Sequence, residues 1–236
     1  MNSSSSSSSS SGGSEANEAL LRAVYEDDLG GFNAAIEAGA NVECTDSKDG
    51  LNYSSIHIAC LRGCLPIIFR LLDLKVDYNV STSKKITPLF IASQEGNLPV
   101  CDVLIHNGAD VNQPCFDGIT SLNRASFMGH LPVCELLIKN GAIVNQTYKD
   151  GYTSLFASAE EGHLHICELL IQNGAVVNQS TLKGFTPLSL ASENGHLLVC
   201  ELLLRNGAEA VINQANNTNQ RMALHWASLK GHLSIS

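Results

Sequence analysis

The sequence predicts an all-α solenoid of stacked helix–turn–helix units joined by β-hairpin-like loops. Three observations predict it. A Thr-Pro-Leu-like turn starts at Ser54, Thr87, Thr120, Thr153, Thr186 and Met222, at intervals of 33, 33, 33, 33 and 36 residues. A glycine stands nine residues after each start, at Gly63, Gly96, Gly129, Gly162, Gly195 and Gly231. A Gly-Ala pair closes units at Gly108, Gly141, Gly174 and Gly207. Composition agrees. The 236 residues are 44% hydrophobic but only 6% aromatic, with a single Trp. Small aliphatic residues suit many thin, similar layers better than one large centre.

Each element of a unit has a local cause. In Thr87-Pro88-Leu89, Thr87 reads as an N-cap and Pro88 takes the first helical position, where its missing N–H costs nothing. The first helix runs from Pro88 to about Glu95, and Gly96 ends it because glycine adopts the left-handed conformation. The second helix carries an apolar stripe at Leu98, Val100, Cys101, Leu104 and Ile105 and stops at Gly108. Ala109-Asp110-Val111-Asn112 then leads outward into the next turn, which elsewhere passes through Asp-Gly or Lys-Gly. One such unit cannot bury its own apolar face, so neighbours must stack.

With these motifs the chain resembles the ankyrin-repeat family. Thr87-Pro88-Leu89 and Thr186-Pro187-Leu188 are the best matches to its turn, and Gly162-His163-Leu164 and Asn173-Gly174-Ala175 extend the pattern. The resemblance implies a β-hairpin turn and two antiparallel helices per repeat. The expected organisation is a disordered Ser-rich tail at 1–16 and an ankyrin repeat domain at 17–236. Within it lie a degenerate N-terminal cap-like repeat at 17–46, repeats at 49–81, 82–114, 115–147, 148–180 and 181–216, and a truncated repeat at 217–236.

In the cap-like repeat, Ala19, Leu20, Ala23 and Val24 form one helix and Phe32, Ala35 and Ile36 another, with Glu26, Asp27 and Asp28 as polar cap residues. The unbroken serine run Ser3 to Ser11 has no apolar surface to bury. Around Glu209-Ala210-Val211 and Asn216 to Arg221 the longer interval reads as an extended hairpin loop. The final unit stops at Ser236, just after its second helix begins, so a continuation of the chain is expected.

Charge and motif content narrow the function. A net charge of −9 repels nucleic-acid phosphates and favours a basic partner. No apolar run is long enough for a membrane span, and the start lacks the pattern of a secretory signal. The eight cysteines show no tight disulfide framework and read as reduced thiols, which places the protein in the cytoplasm, with the nucleus open. His130 and Cys134, His163 and Cys167, and His196 and Cys200 each lie four apart, a spacing that a metal site can use. Each repeat supplies only two such ligands, however, and the cysteines lie on the apolar stripe, so a structural role is expected and no metal. His57 and His225 occupy the fourth position of the turn motif, where the other repeats carry Phe90, Asn123, Phe156 and Ser189. Substitution that free argues against catalysis. The adjacent pair Glu160-Glu161 diverges on a helix and reads as a solvated face. No enzyme chemistry and no cofactor are expected.

The resemblance implies a protein–protein interaction scaffold that binds its partner in a concave groove made of hairpin tips and first-helix ends. The alternative is the target-recognition part of a larger enzyme, a kinase or a ubiquitin-ligase subunit. The family's contact positions fall on Tyr53, Leu61, Arg62, Ile86, Glu95, Phe116, Ile119, Phe127, Met128, Tyr152, Glu160, Glu161 and Phe185, with Leu51, Lys84, Lys149 and Leu182 at further tips. Phe127-Met128 places two large apolar residues at a position where polar residues are the rule. With Phe116 and Ile119 they are expected to form an apolar centre bordered by Glu95, Glu160 and Glu161; the competing reading folds them onto neighbouring repeats. Arg124, where other repeats carry apolar or small residues, marks the same unit. The expected occupant is a protein with an apolar anchor and basic flanks, bound by a monomer across a standard interface of about 800 Å² per partner.

Overall fold

The computed structural model describes residues 9–47 and 50–208. The serine run up to residue 8, the lengthened loop after Ala208 and the repeat expected at 217–236, with Met222, His225 and Gly231, lie outside the described residues. The fold is all-α, with helix–turn–helix repeats joined by short hairpin loops. Two compact units divide after Asp110.

The first unit holds three helix pairs: α1 (Ser9–Tyr25) with α2 (Leu29–Glu37), α3 (Ser55–Arg62) with α4 (Leu65–Asp73), and α5 (Pro88–Gln94) with α6 (Leu98–His106). First helices stack in the order α1, α3, α5 and second helices in the order α2, α4, α6. α1 begins upstream of residue 17, inside the segment read as tail. Ala16 is buried with Leu20, Ala23 and Val24, and a helix anchored at those residues adds turns toward its N-terminus at little cost. Asp28 caps α2 by accepting the Gly31 N–H at 3.0 Å. A two-residue antiparallel pair, β1 (Thr45–Asp46) with β2 (Tyr53–Ser54), forms the hairpin before α3.

The second unit repeats the plan with α7 (Ser121–Met128) and α8 (Leu131–Lys139), α9 (Ser154–Glu160) and α10 (Leu164–Gln172), and α11 (Pro187–Asn194) and α12 (Leu197–Arg205). Its first helices stack as α7, α9, α11 and its second helices as α8, α10, α12. The apolar stripe of each second helix is narrower than its sequence suggests. In α6, Val100, Cys101 and Leu104 are buried, but Leu98 is exposed, because a layer one repeat thick covers only one side of the helix.

Polar groups at fixed offsets join the repeats. Asn97 Nδ2 donates to Cys60 O at 3.1 Å in the first unit. His163 Nε2 donates to Phe127 O at 3.0 Å, and His196 Nε2 to Glu160 O at 2.9 Å, in the second. The ring lies so close to the preceding repeat's glycine that a Cβ on Gly129 would come within 2.7 Å of His163, and one on Gly162 within 2.5 Å of His196. Both glycines also hold φ near +80°, at 84° and 76°. A second ladder uses asparagine: Asn79 Oδ1 accepts from Asp110 N, Asn112 Oδ1 from Ile143 N and Asn145 Oδ1 from Val176 N. Asn178 Nδ2 donates to Gly207 O at 2.8 Å, while its buried Oδ1 has no hydrogen-bond partner among the described residues.

The fourth residue of the turn motif has three solutions. His57 Nδ1 accepts from the Ser54 N–H at 3.2 Å, which leaves Nε2–H to donate to Ile86 O at 3.1 Å. Asn123 and Ser189 close capping boxes with Thr120 and Thr186. Phe90 and Phe156 instead fill the core. His57 is buried, and burial pushes its pKa down to about 4, against a smaller opposing effect of its backbone hydrogen bonds. Its protonation would also set an N–H against the Ser54 N–H.

Gly162→Ala should cost about 1 to 2 kcal/mol from the left-handed backbone alone, and more from the displaced His196 ring. In a Gly162→Ala, His196→Ala double variant the ring's share should vanish, so the two losses should be non-additive by denaturant titration. For His57, the unfolded chain binds a proton near pH 6.5 and the folded one only near pH 4. Stability contributed by the neutral ring is therefore present above pH 6.5, falls by up to about 3 kcal/mol as pH drops to 4, and levels off below. His57→Asn, which copies the box of Asn123, should flatten that part of the stability–pH curve.

Candidate partner-binding surface

The second unit gathers most of the aromatic and acidic side chains of interest. Lys149 and Gly151 hold positive φ, 43° and 100°, and so close the loop between Tyr148 and Tyr152 tightly. The two tyrosines then face each other as an antiparallel bridge, with Tyr148 N donating to Tyr152 O at 2.9 Å and Tyr152 N to Tyr148 O at 3.1 Å. Their rings lie 5.9 Å apart at 37°. Tyr152 also rests 5.3 Å from Phe156, whose ring is fully buried, so the pair is anchored to the core.

Glu160 ends α9 beside these rings. Its backbone carbonyl accepts from His196 Nε2 and from Asn194 Nδ2 at 2.8 Å, which fixes the helix end against α11. Its side chain is half-buried, and burial, followed by the charges of Glu161 and Glu193, raises its carboxyl pKa above the usual range. The same environment acts on the phenols. Burial first, then Glu160, pushes Tyr148 up to about 12, with Arg124 opposing. Burial, Glu160, Asp150 and Glu193 raise Tyr152.

Arg124 places its guanidinium 5.7 Å from the centre of the Phe127 ring. Phe127 is half-buried, whereas Met128 is 42% exposed. At the hairpin tips Phe116 is 77% exposed and Leu182 78% exposed. Ile119 and Phe185 are half-buried, and their carbonyls accept from Cys115 N and Thr181 N. Glu161 is exposed.

The first unit carries the other expected contact residues. Tyr53 is half-buried and stands edge-on to His57 at 5.9 Å and 71°. Ile86 is half-buried, and its carbonyl is occupied by His57. Leu61, Arg62 and Glu95 are exposed. Glu95 accepts from Gln94 Nε2 at 2.8 Å. The structure thus pairs Tyr148 with Tyr152 within electrostatic reach of Glu160, puts Tyr152 within reach of Glu193 as well, and sets Arg124 against Phe127. Tyr148 was not among the expected contact residues. The sequence signal for it is its place opposite Tyr152 across Lys149-Asp150-Gly151, a pairing that exists only if the loop closes as a hairpin.

The His and Cys pairs serve separate ends. His163 reaches Phe127 O, while Cys167 Sγ donates to Ser158 Oγ at 3.2 Å. Ser–Cys pairs recur between the helices of other repeats, at Ser93 and Cys101, Ser126 and Cys134, and Ser192 and Cys200. Among the described residues no group of three or more His, Cys, Asp or Glu is placed to hold a metal ion. All eight cysteines are free thiols. Burial raises Cys101 and Cys167 to about 11 and Cys134 to about 12, far from the thiolate that a nucleophile needs.

A family model described as Ankyrin repeats (3 copies) matches residues 20–115, 56–148, 122–214 and 179–236. Comparison with curated proteins finds no match. Among the described residues no helix is long and apolar enough to cross a membrane.

Thiol accessibility gives a direct check of this surface and core. A thiol-reactive chromophore should label the native protein only at Cys44 and Cys115, the two half-buried cysteines. Cys60, Cys64, Cys101, Cys134, Cys167 and Cys200 should react only on unfolding, as read by peptide mass mapping.

Proposed function

The chain belongs to the ankyrin-repeat family, whose repeats are generally protein–protein interaction modules, and we propose that it binds a protein partner that offers an apolar anchor flanked by Lys or Arg. The observation that carries this reading is the exposure of Phe116, Leu182 and Met128, at 77%, 78% and 42%. Large apolar side chains left this open at loop tips and a helix end add little burial to the fold, and they suit an interface core. The carboxylates of Glu160, Glu161 and Glu193 and the net charge of −9 supply the acidic surround for basic flanks.

In this reading the surface spans the hairpin tips and first-helix ends. Phe116, Ile119, Phe127, Met128, Tyr152, Glu160, Glu161 and Phe185 act in the second unit, and Tyr53, Leu61, Arg62, Ile86 and Glu95 act in the first. The protein acts as a monomer and contributes recognition rather than catalysis. Eight free thiols favour a reducing, intracellular setting.

Selection from a random-peptide display library tests the reading. The native protein should enrich peptides with an aromatic or branched aliphatic residue next to Lys or Arg. Phe116→Ser with Met128→Gln should lose that enrichment while its helical circular dichroism stays unchanged. Equal enrichment by the double variant, or enrichment of acidic peptides, would sink the proposal.

A further inference from the structure

We propose that Tyr148, Tyr152, Glu160 and Glu193 form a subsite for one cationic side chain, Lys or Arg, presented by the partner. The inference rests on the reading that this surface receives a basic-flanked partner, and it names where the charge is received. Two rings 5.9 Å apart, held by a backbone bridge and by buried Phe156, give a rigid aromatic platform. Aromatic faces attract cations, and the attraction grows when water is displaced.

The carboxylates beside the platform lack an internal partner. The Glu160 side chain makes no hydrogen bond or ion pair among the described residues, although it is half-buried. The charges of Glu161 and Glu193 repel it. Arg124 stands over Phe127, Lys183 is paired with Asp150 at 3.6 Å, and Lys149 is exposed at the hairpin tip. Glu160, joined at Tyr152 by Asp150 and Glu193, sets a negative field at the tyrosines that Arg124 only partly opposes at Tyr148. A half-buried carboxylate among like charges is costly to ionise, and an incoming ammonium or guanidinium offsets that cost. A hard divalent ion fits less well, since it needs six or more oxygen ligands where the platform presents ring faces. Arginine gains most, because its planar group stacks on an aromatic ring and meets a carboxylate edge-on at the same time.

The subsite can be tested without the natural partner. N-acetyl-argininamide, N-acetyl-lysinamide and N-acetyl-norleucinamide are titrated into the full chain, and the ring resonances of Tyr148 and Tyr152 are followed by NMR. Both cationic probes should shift these resonances saturably, the arginine probe more strongly, and the uncharged norleucine probe should not. Glu160→Gln with Glu193→Gln, near-isosteric changes, should weaken binding of the cations about tenfold. Glu135→Gln, which removes an exposed charge on α8, should leave it unchanged. Equal shifts with the norleucine probe, no saturable shift with either cation, or equal loss in Glu135→Gln would overturn the subsite. Phe116→Ser with Met128→Gln should retain the cation response even though it loses display enrichment. Failure of the apolar anchor and failure of the cationic subsite therefore read out separately.

Discussion

The structure depends on one close approach, repeated along the chain. The glycine that ends a first helix adopts a left-handed conformation, and the next repeat lays a ring or an amide directly over it. His163 above Gly129 and His196 above Gly162 can be bonded to the preceding helix end only because no Cβ stands between them. Asn97 does the same with a smaller group above Gly63. This contact sets the spacing and orientation of adjacent first helices. The apolar residues beneath it, such as Val133, Cys134 and Leu137, then have a neighbour to bury against. A repeat alone has no such neighbour, so local helix formation and stacking are coupled.

The same contact explains why side chains on the exposed edge hold defined positions. Glu160 O is held by both His196 and Asn194, and Phe127 O by His163. The last turn of α3, α7 and α9 is therefore pinned by its backbone, which frees its side chains from structural duty. Glu160 and Glu161, and Phe127 and Met128, project from such pinned ends. A surface arranged in this way can vary its side chains at little cost to the fold, and rigid placement lowers the entropy lost on binding.

The turn motif shows how far that tolerance goes. His57, Asn123 and Ser189 satisfy the helix N-terminus with polar groups, whereas Phe90 and Phe156 trade the bond for burial. Phe156 has a second consequence, because its ring supports Tyr152 and through it the tyrosine pair. A substitution that reads as a loss of capping in one repeat thus builds a platform in that repeat's own hairpin.

Much of this was legible in the sequence, and for a local reason. The period, the helix starts at Thr-Pro, the glycine stops and the Asp-Gly or Lys-Gly loops each depend on a few consecutive residues whose backbone preferences are strong. The family follows from them. The sequence also marked Phe127-Met128, at positions that polar residues ordinarily hold, and Phe116 at a hairpin tip as residues of the proposed contact surface. Only the tertiary structure decided the rest. Helix from Ser9, the exposure of Leu98, the half-burial of Phe127 under Arg124, the unpartnered Glu160 and the pairing of Tyr148 with Tyr152 all depend on which repeat lies against which. A 33-residue period states that neighbours exist; it does not state which side chains of those neighbours meet, because burial and charge are properties of the stack and not of the repeat.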